Sequence, residues 1–286
     1  MSDKHYIGSY GNSIPAIKES LRLLGVEIPQ IMLPNQSIDL RKWAVVACDQ
    51  YTSQRSYWKS VEDEVADSPS TLHMIFPEVY LEDSDKEQRI LSISNSMKKY
   101  LEEDLFEILL PSFVYVERTL GTGVRKGLVI ALDLEQYDYK EGSQSLIRAT
   151  EGTVLDRLPP RIAIRKDAVL ETPHIMVLID DPEKTVIEPI ADNISEADKL
   201  YDLMMDGGHI TGYRAERLET IEKIADALTG LADPQRFQKK YDVGEDKAVL
   251  LFAMGDGNHS FATAKAYWDN LKDSLSEEER QNHPAR

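Results

Sequence analysis

Gly255, Asp256, Gly257, Asn258, His259 and Ser260 stand together where an apolar run, Ala248 to Met254, gives way to a helical pattern, and these residue types suit anion binding. At a helix N-terminus the first backbone N–H groups lack intrahelical partners, and the dipole adds roughly half a positive charge. Gly255 and Gly257 let the chain turn sharply and let a ligand approach the backbone, while His259 and Ser260 can donate side-chain hydrogen bonds. The simpler alternative is that Asp256 or Asn258 caps the helix and the glycines serve the turn alone.

A second concentration is RATEGTVLDR, with Arg148, Glu151, Asp156 and Arg157 inside ten residues. In a phosphoryl-transfer reading Glu151 or Asp156 orients an acceptor hydroxyl or holds Mg²⁺, and an arginine neutralises developing charge. A helix start with surface ion pairs is the alternative. Asp49, at the expected end of a strand, is a candidate base or metal ligand, against a role as a helix cap. Asp206-Gly207-Gly208-His209 and Asp256-Gly257-Asn258-His259 share an Asp-Gly-x-His pattern after apolar strands. Asp206, His209 and Asp256, together with His259, could bind a divalent metal if those strand ends meet; otherwise Asp206-Gly207-Gly208 is a turn. The single cysteine, Cys48, reads as a buried thiol at a strand end.

Periodicity supplies the elements that must position these residues. Ser13 to Leu24 is an amphipathic helix stopped by Gly25. Trp43 to Cys48 is expected as a strand, followed by a helix over Gln54 to Ala66 capped by Ser53. A long helix lies within Ser84 to Leu105, opened by Ser84 with Glu87 three residues on, a capping-box pattern. Leu109 to Arg118 and Lys126 to Leu134 are strands joined through Leu120-Gly121-Thr122-Gly123, a hairpin turn. Ser145 to Thr150 is a further strand, and Val154 to Ala168 a helix interrupted near Pro159-Pro160. His174 to Ile179, Lys199 to Met205, His209 to Glu216 and Ala248 to Met254 are strands; Leu218 to Leu231, Arg236 to Tyr241 and Asn258 to Ser274 are helices. Strands outnumber what regular βαβ alternation gives, so the class is α+β, with mixed, largely antiparallel sheets flanked by helices. The expected organisation is a single unit over 1–286, with 1–142 and 143–286 as a possible subdivision. The polar end, SLSEEERQNHPAR, is expected to lack a docking helix, as in a piece of a longer protein.

Composition narrows the class of partner. The 286 residues carry 33 basic and 50 acidic side chains, a net charge of −17, which argues against a general nucleic-acid surface. One cysteine cannot form an intramolecular disulfide, and no apolar run approaches the roughly 20 residues needed to span a bilayer. A cytoplasmic protein is expected, with no membrane partner.

The strand, then Asp256-Gly257-Asn258-His259-Ser260, then a helix with Ala262, Thr263 and Ala264, resembles the Asp-Gly-His-His-Arg-x-x-x-Ala signature of domain-of-unknown-function family 1015. VACDQYTS (Val46 to Ser53), the hairpin SFVYVERTLGTGVRKGLVIALDLEQYDY (Ser112 to Tyr139) and RATEGTVLDR are similar to other stretches of that family. The resemblance implies a wider kinship with the ParB and sulfiredoxin superfamily, including a free-serine kinase, in which the equivalent corner holds nucleotide phosphates. It therefore implies a bound nucleotide, ATP or another, with Mg²⁺, or a phosphorylated metabolite. The chain departs from the signature at two points: Asn258 replaces the first histidine, and Ser260 the arginine that would clamp a phosphate. Arg148 or Arg157 is then the candidate replacement clamp. Two functions are expected on this basis, a nucleotide-dependent phosphotransferase acting on a small metabolite and a non-catalytic nucleotide or metabolite-binding regulatory module.

Overall fold

Apolar residues three and four apart, and alternating residues in the strands, sort the chain around two hydrophobic cores. The computed structural model describes residues 13–192 and 199–286. In chain order the helices and strands are α1 (Ser13–Leu23), β1 (Val26–Glu27), β2 (Met32–Pro34), α2 (Leu40–Trp43), α3 (Arg55–Val65), α4 (Lys86–Glu102), β3 (Phe106–Ile108), β4 (Phe113–Leu120), β5 (Gly123–Val129), β6 (Ala131–Leu132), β7 (Tyr137–Asp138) and β8 (Ile147–Arg148). They continue as α5 (Leu158–Arg165), β9 (Met176–Leu178), α6 (Glu188–Ala191), β10 (Lys199–Asp202), β11 (His209–Ala215), α7 (Leu218–Leu231), α8 (Pro234–Tyr241), β12 (Phe252–Asp256), α9 (Asn258–Lys272) and α10 (Glu277–Asn282).

The class is α+β. One four-stranded sheet, in the order β10-β11-β4-β5, is antiparallel throughout. The other, β7-β8-β12-β9, pairs β12 parallel to β8 and antiparallel to β9. Two short antiparallel ribbons, β1-β6 and β2-β3, complete the pairing.

The larger core gathers Leu21, Val26, Phe113, Tyr115, Ile147, Ile224, Leu228, Met254 and Trp268, drawing on both sides of residue 142. The second gathers Trp43, Trp58, Val61, Phe76, Ile93, Met97, Tyr100 and Met204. Among the described residues no helix is long and apolar enough to cross a membrane.

Several expected elements take a different form. Residues 44–48 are not a strand: Trp43 closes α2, and its carbonyl accepts from Ser70 Oγ at 3.1 Å and Thr71 Oγ1 at 2.8 Å. Thr71 Oγ1 also accepts from Val45 N at 3.3 Å, and Cys48 O accepts from Glu78 N at 2.8 Å. Side chains and a loop amide thus satisfy backbone groups that a ladder would otherwise take. Gln54, not Ser53, precedes α3, and Asp85, not Ser84, precedes α4; neither side chain accepts a capping hydrogen bond. Pro159 and Pro160 lie at the start of α5 rather than interrupting a helix, because a first-turn residue has no intrahelical N–H bond to lose. The polar end does form a helix, α10, opened by a reciprocal capping box between Ser276 and Glu279. Beyond it Ala285 packs on the larger core, and Arg286 makes a two-pronged ion pair with Asp133 at 3.0 and 2.8 Å.

The turn between β10 and β11 is set by a glycine. Gly208 has φ +98°, and a Cβ there would lie 2.5 Å from Thr119 O, whereas one on Gly121 in the β4–β5 turn meets nothing within 4 Å. Gly208→Ala is therefore expected to destabilise the chain by about 2–3 kcal/mol, from left-handed strain plus a backbone clash, and Gly121→Ala by well under about 1 kcal/mol. Urea midpoints of the two variants check this ordering; equal losses would contradict it.

Candidate functional site

The corner is built by β12, one glycine and α9. Pairing of β12 with β9 shifts register between Met254 and Asp256, so Gly255 sits at an irregularity of the ladder. A Cβ on Gly255 would lie 3.0 Å from Leu178 Cγ. Gly257 has φ +80°, and a Cβ there would lie 3.1 Å from Ile175 Cγ1 and 3.2 Å from Ile175 Cα. Gly257 is thus favoured by its own left-handed backbone and the Ile175 contact before any ligand is considered, whereas a side chain at Gly255 would need Leu178 to give by a few tenths of an ångström.

Gly257 is the cap residue of α9, so neither Asp256 nor Asn258 takes that role, and no side chain caps this helix. Asp256 Oδ1 instead accepts from Gly257 N at 2.9 Å. The first turn of a 15-residue helix is left with uncapped N–H groups and the positive end of its dipole.

The segment RATEGTVLDR folds over this turn. Thr150 Oγ1 donates to Met254 O at 2.5 Å, Asn258 Nδ2 to Glu151 Oε1 at 3.2 Å, and Val154 N to His259 Nε2 at 3.3 Å. The last bond needs a lone pair on Nε2, so His259 is a neutral imidazole with its proton on Nδ1. Its pKa is lowered, first by burial and then by the positive charges of Arg161 and Arg157. The Asn258 amide is oriented by the Glu151 carboxylate, which accepts only; its Oδ1 is buried without a hydrogen-bond partner, as is Thr153 Oγ1.

A partly buried ion pair lies beside Arg157. Arg161, one helical turn beyond Arg157, donates to Glu78 Oε1 from Nε at 2.9 Å and from Nη2 at 2.6 Å, and its Nη1 donates to Arg157 O at 2.8 Å. Glu78 N also donates to Cys48 O at 2.8 Å, so the pair ties the segment before Asp49 to α5. Burial, then the carboxylates of Asp49 and Glu78, push the Cys48 thiol up to about 12, so it carries no thiolate at neutral pH.

The structure therefore brings Glu151, Arg157, Gly255, Asp256, Gly257, Asn258, His259 and Ser260 together. Asp49 does not join them: among the described residues its side chain accepts only from its neighbour Gln50. Asp156 lies beside them, exposed in a 3₁₀ turn. Arg148 does not join them as a clamp. Its guanidinium donates to Ser145 O at 2.6 Å and to Ala248 O and Val249 O at 2.9 Å each, tying β8 to the approach to β12. Nor do the two Asp-Gly-x-His copies meet as a metal site. Asp206 and His209 belong to the turn of the antiparallel sheet, where His209 Nδ1 pairs with Asp202 Oδ1 at 2.9 Å and Arg118 takes Gly207 O. Among the described residues no group of three or more His, Cys, Asp and Glu side chains is placed to hold a metal ion.

Three residues of the site were not singled out by sequence: Arg161, Glu78 and His174. Arg161 had a signal, its i,i+4 spacing from Arg157. Glu78 had none, since its partner lies 83 positions away. His174, read only as the start of a strand, lies with Nε2 2.9 Å from Ser260 Oγ.

The lowered pKa of His259, and that of His73, where burial leads and Lys99 adds to it, set a pH dependence. Below the ordinary imidazole value of about 6.5 the unfolded chain binds more protons than the folded one, so this stabilisation is present above that value and is lost as pH falls through the folded values. The urea midpoint is expected to be lower at about pH 5.5 than at about pH 7.5, with a smaller drop in His259→Gln. An unchanged drop in that variant would remove His259 from the explanation.

Fold and corner together define an α+β protein with a glycine-capped strand-to-helix turn roofed by a long-range loop. The chain belongs to the family described as Protein of unknown function (DUF1015), whose model matches residues 32–286. No curated protein and no solved structure matches it.

Proposed function

We propose that this protein holds the phosphate of a nucleotide or of another phosphorylated small molecule at the N-terminus of α9. The observation that carries the reading is the uncapped first turn of that helix behind Gly257, a ready anion site by dipole and N–H direction. Arg157, exposed and close enough to act on His259, supplies the nearby cation that Ser260 does not. The kinship with the ParB and sulfiredoxin superfamily suggested by the sequence supports a nucleotide over other phosphates.

Mg²⁺ fits such a site as a counter-ion, because it is commonly held by one or two carboxylates plus substrate phosphates. Asp256 and Glu151 are the carboxylates at the corner; when bound, the ion would neutralise phosphate charge. In the catalytic form of this reading, Glu151 serves as acid and base toward an acceptor. In the regulatory form the corner only senses its ligand.

Isothermal titration of the full chain with ATP, ADP and CTP in the presence of Mg²⁺ tests the reading. Saturable heat with at least one of them is expected, and phosphate release or transfer from the bound nucleotide separates the catalytic form from the regulatory one. Absence of heat with all three overturns the nucleotide reading.

A further inference from the structure

Ser260 and His174 form a pair that phosphate binding alone leaves without a task. Ser260 is the third residue of α9, and helical Cα–Cβ bonds lean toward the N-terminus, so its hydroxyl lies against the first turn. His174 Nε2 is 2.9 Å from Ser260 Oγ, and His174 Nδ1 is 3.4 Å from Thr172 O. A carbonyl only accepts, so the proton belongs on Nδ1 and the Nε2 lone pair faces the serine hydroxyl as its acceptor. Both residues are only half-buried, so a small molecule can reach them. Ile175, next to His174, is the residue against which Gly257 closes, so one packing contact sets both the corner and the pair. A hydroxyl, a base within hydrogen-bond reach and a third group orienting the base make up the arrangement of nucleophilic catalysis.

We propose that Ser260 is a nucleophile toward phosphate esters, with His174 as its base. A lone pair of Ser260 Oγ forms the bond to phosphorus while the Oγ–H proton passes to His174 Nε2. The bond from phosphorus to the leaving alkoxide oxygen breaks, its electron pair stays on that oxygen, and the oxygen takes the proton from His174. Water then attacks the phosphoserine, giving its proton to His174; the Ser260 oxygen departs with its electron pair and recovers that proton, and inorganic phosphate is released. The N–H groups of the first turn of α9, with Arg157, stand where charge on the phosphoryl oxygens develops. The step rests on the phosphate site proposed above for holding those oxygens.

The test uses the full chain and a fluorophosphonate probe, which phosphonylates activated serines and expels fluoride. One adduct is expected, mapped to Ser260 by peptide mass spectrometry and absent from Ser260→Ala. His174→Gln can still accept the serine hydrogen bond but cannot take the proton, so labelling is expected to slow by about 100-fold or more. No adduct on the folded wild-type chain, an adduct at a different serine, or undiminished labelling in a folded His174→Gln overturns the proposal. Should that variant not fold, selective labelling of wild-type Ser260 decides alone. Labelling without any heat in the nucleotide titrations would remove the nucleotide reading and keep the nucleophile, and heat without labelling would do the reverse.

Discussion

Trp268→Ala is expected to destabilise the chain by about 3–5 kcal/mol, the range for deleting a fully buried large aromatic side chain. Trp268 has no exposed surface and projects from α9 into the larger core. Its indole Nε1 donates to Glu135 Oε1 at 2.5 Å, and Lys272, one turn on, donates to the same oxygen at 3.0 Å. Truncation leaves a cavity and removes one of the two donors that hold the Glu135 carboxylate. Because domains have a net stability of about 5–15 kcal/mol, this single change removes a large share of it. Trp268→Phe restores most of the volume but not the N–H, and should cost roughly 1–2 kcal/mol. Urea unfolding monitored by circular dichroism checks both, with the slope unchanged if the denatured state is the same. A loss below about 1 kcal/mol in the alanine variant would mean that the packing of α9 is misassigned.

The second large effect concerns the corner itself. Gly257→Val combines a β-branched residue at φ +80° with a Cβ about 3.1 Å from Ile175 Cγ1. Left-handed strain of about 1–2 kcal/mol and overpacking of about 1–3 kcal/mol both act, so a total of about 3 kcal/mol is expected. Relief requires the 174–178 segment to move, which carries His174 away from Ser260 and displaces the first turn of α9. Nucleotide binding is therefore expected to be lost at a temperature where the variant is still folded. Gly257→Asn, which tolerates the left-handed region better, should bind more weakly than wild type but more tightly than the valine variant. Titration at about 10 °C, after a melt has established each variant's folded range, reads this order. Undiminished binding in Gly257→Val would separate ligand binding from the corner.

The sequence showed most clearly those elements whose own residues dictate them. α7 and α9 emerge with bounds close to the expected Leu218 to Leu231 and Asn258 to Ser274, because their apolar spacing faces a core directly. The β4–β5 hairpin follows from Gly121 and Gly123 at a tight turn. The strand expected over Trp43 to Cys48 does not form because Trp43 O, Val45 N and Cys48 O are taken by Ser70, Thr71 and Glu78, at least 26 positions away and invisible to local pattern. α10 carried a readable Ser276-x-x-Glu279 capping box, which the acidic composition of the segment obscured.

At the site, proximity in sequence was a fair guide to Gly255 through Ser260 and to Glu151 and Arg157. It failed for Arg148, whose ten-residue cluster says nothing of the three carbonyls it binds. What it did not show is that Leu178 and Ile175, about 80 positions earlier, pack closely on the two glycines. The likeness between the two Asp-Gly-x-His stretches was one of letters: one closes an antiparallel hairpin, the other leads from a mixed sheet into a helix.

The central claim is that the first-turn amides of α9 receive phosphate. Amide chemical shifts of Asn258, His259 and Ser260, followed in a ¹⁵N-labelled chain during titration with ADP and Mg²⁺, address it most directly. Saturable downfield movement of those three amide protons, with the largest changes confined to residues 150–157 and 255–261, is the expected result. Unmoved amides at 258–260 while other parts of the chain respond to the nucleotide would contradict the account.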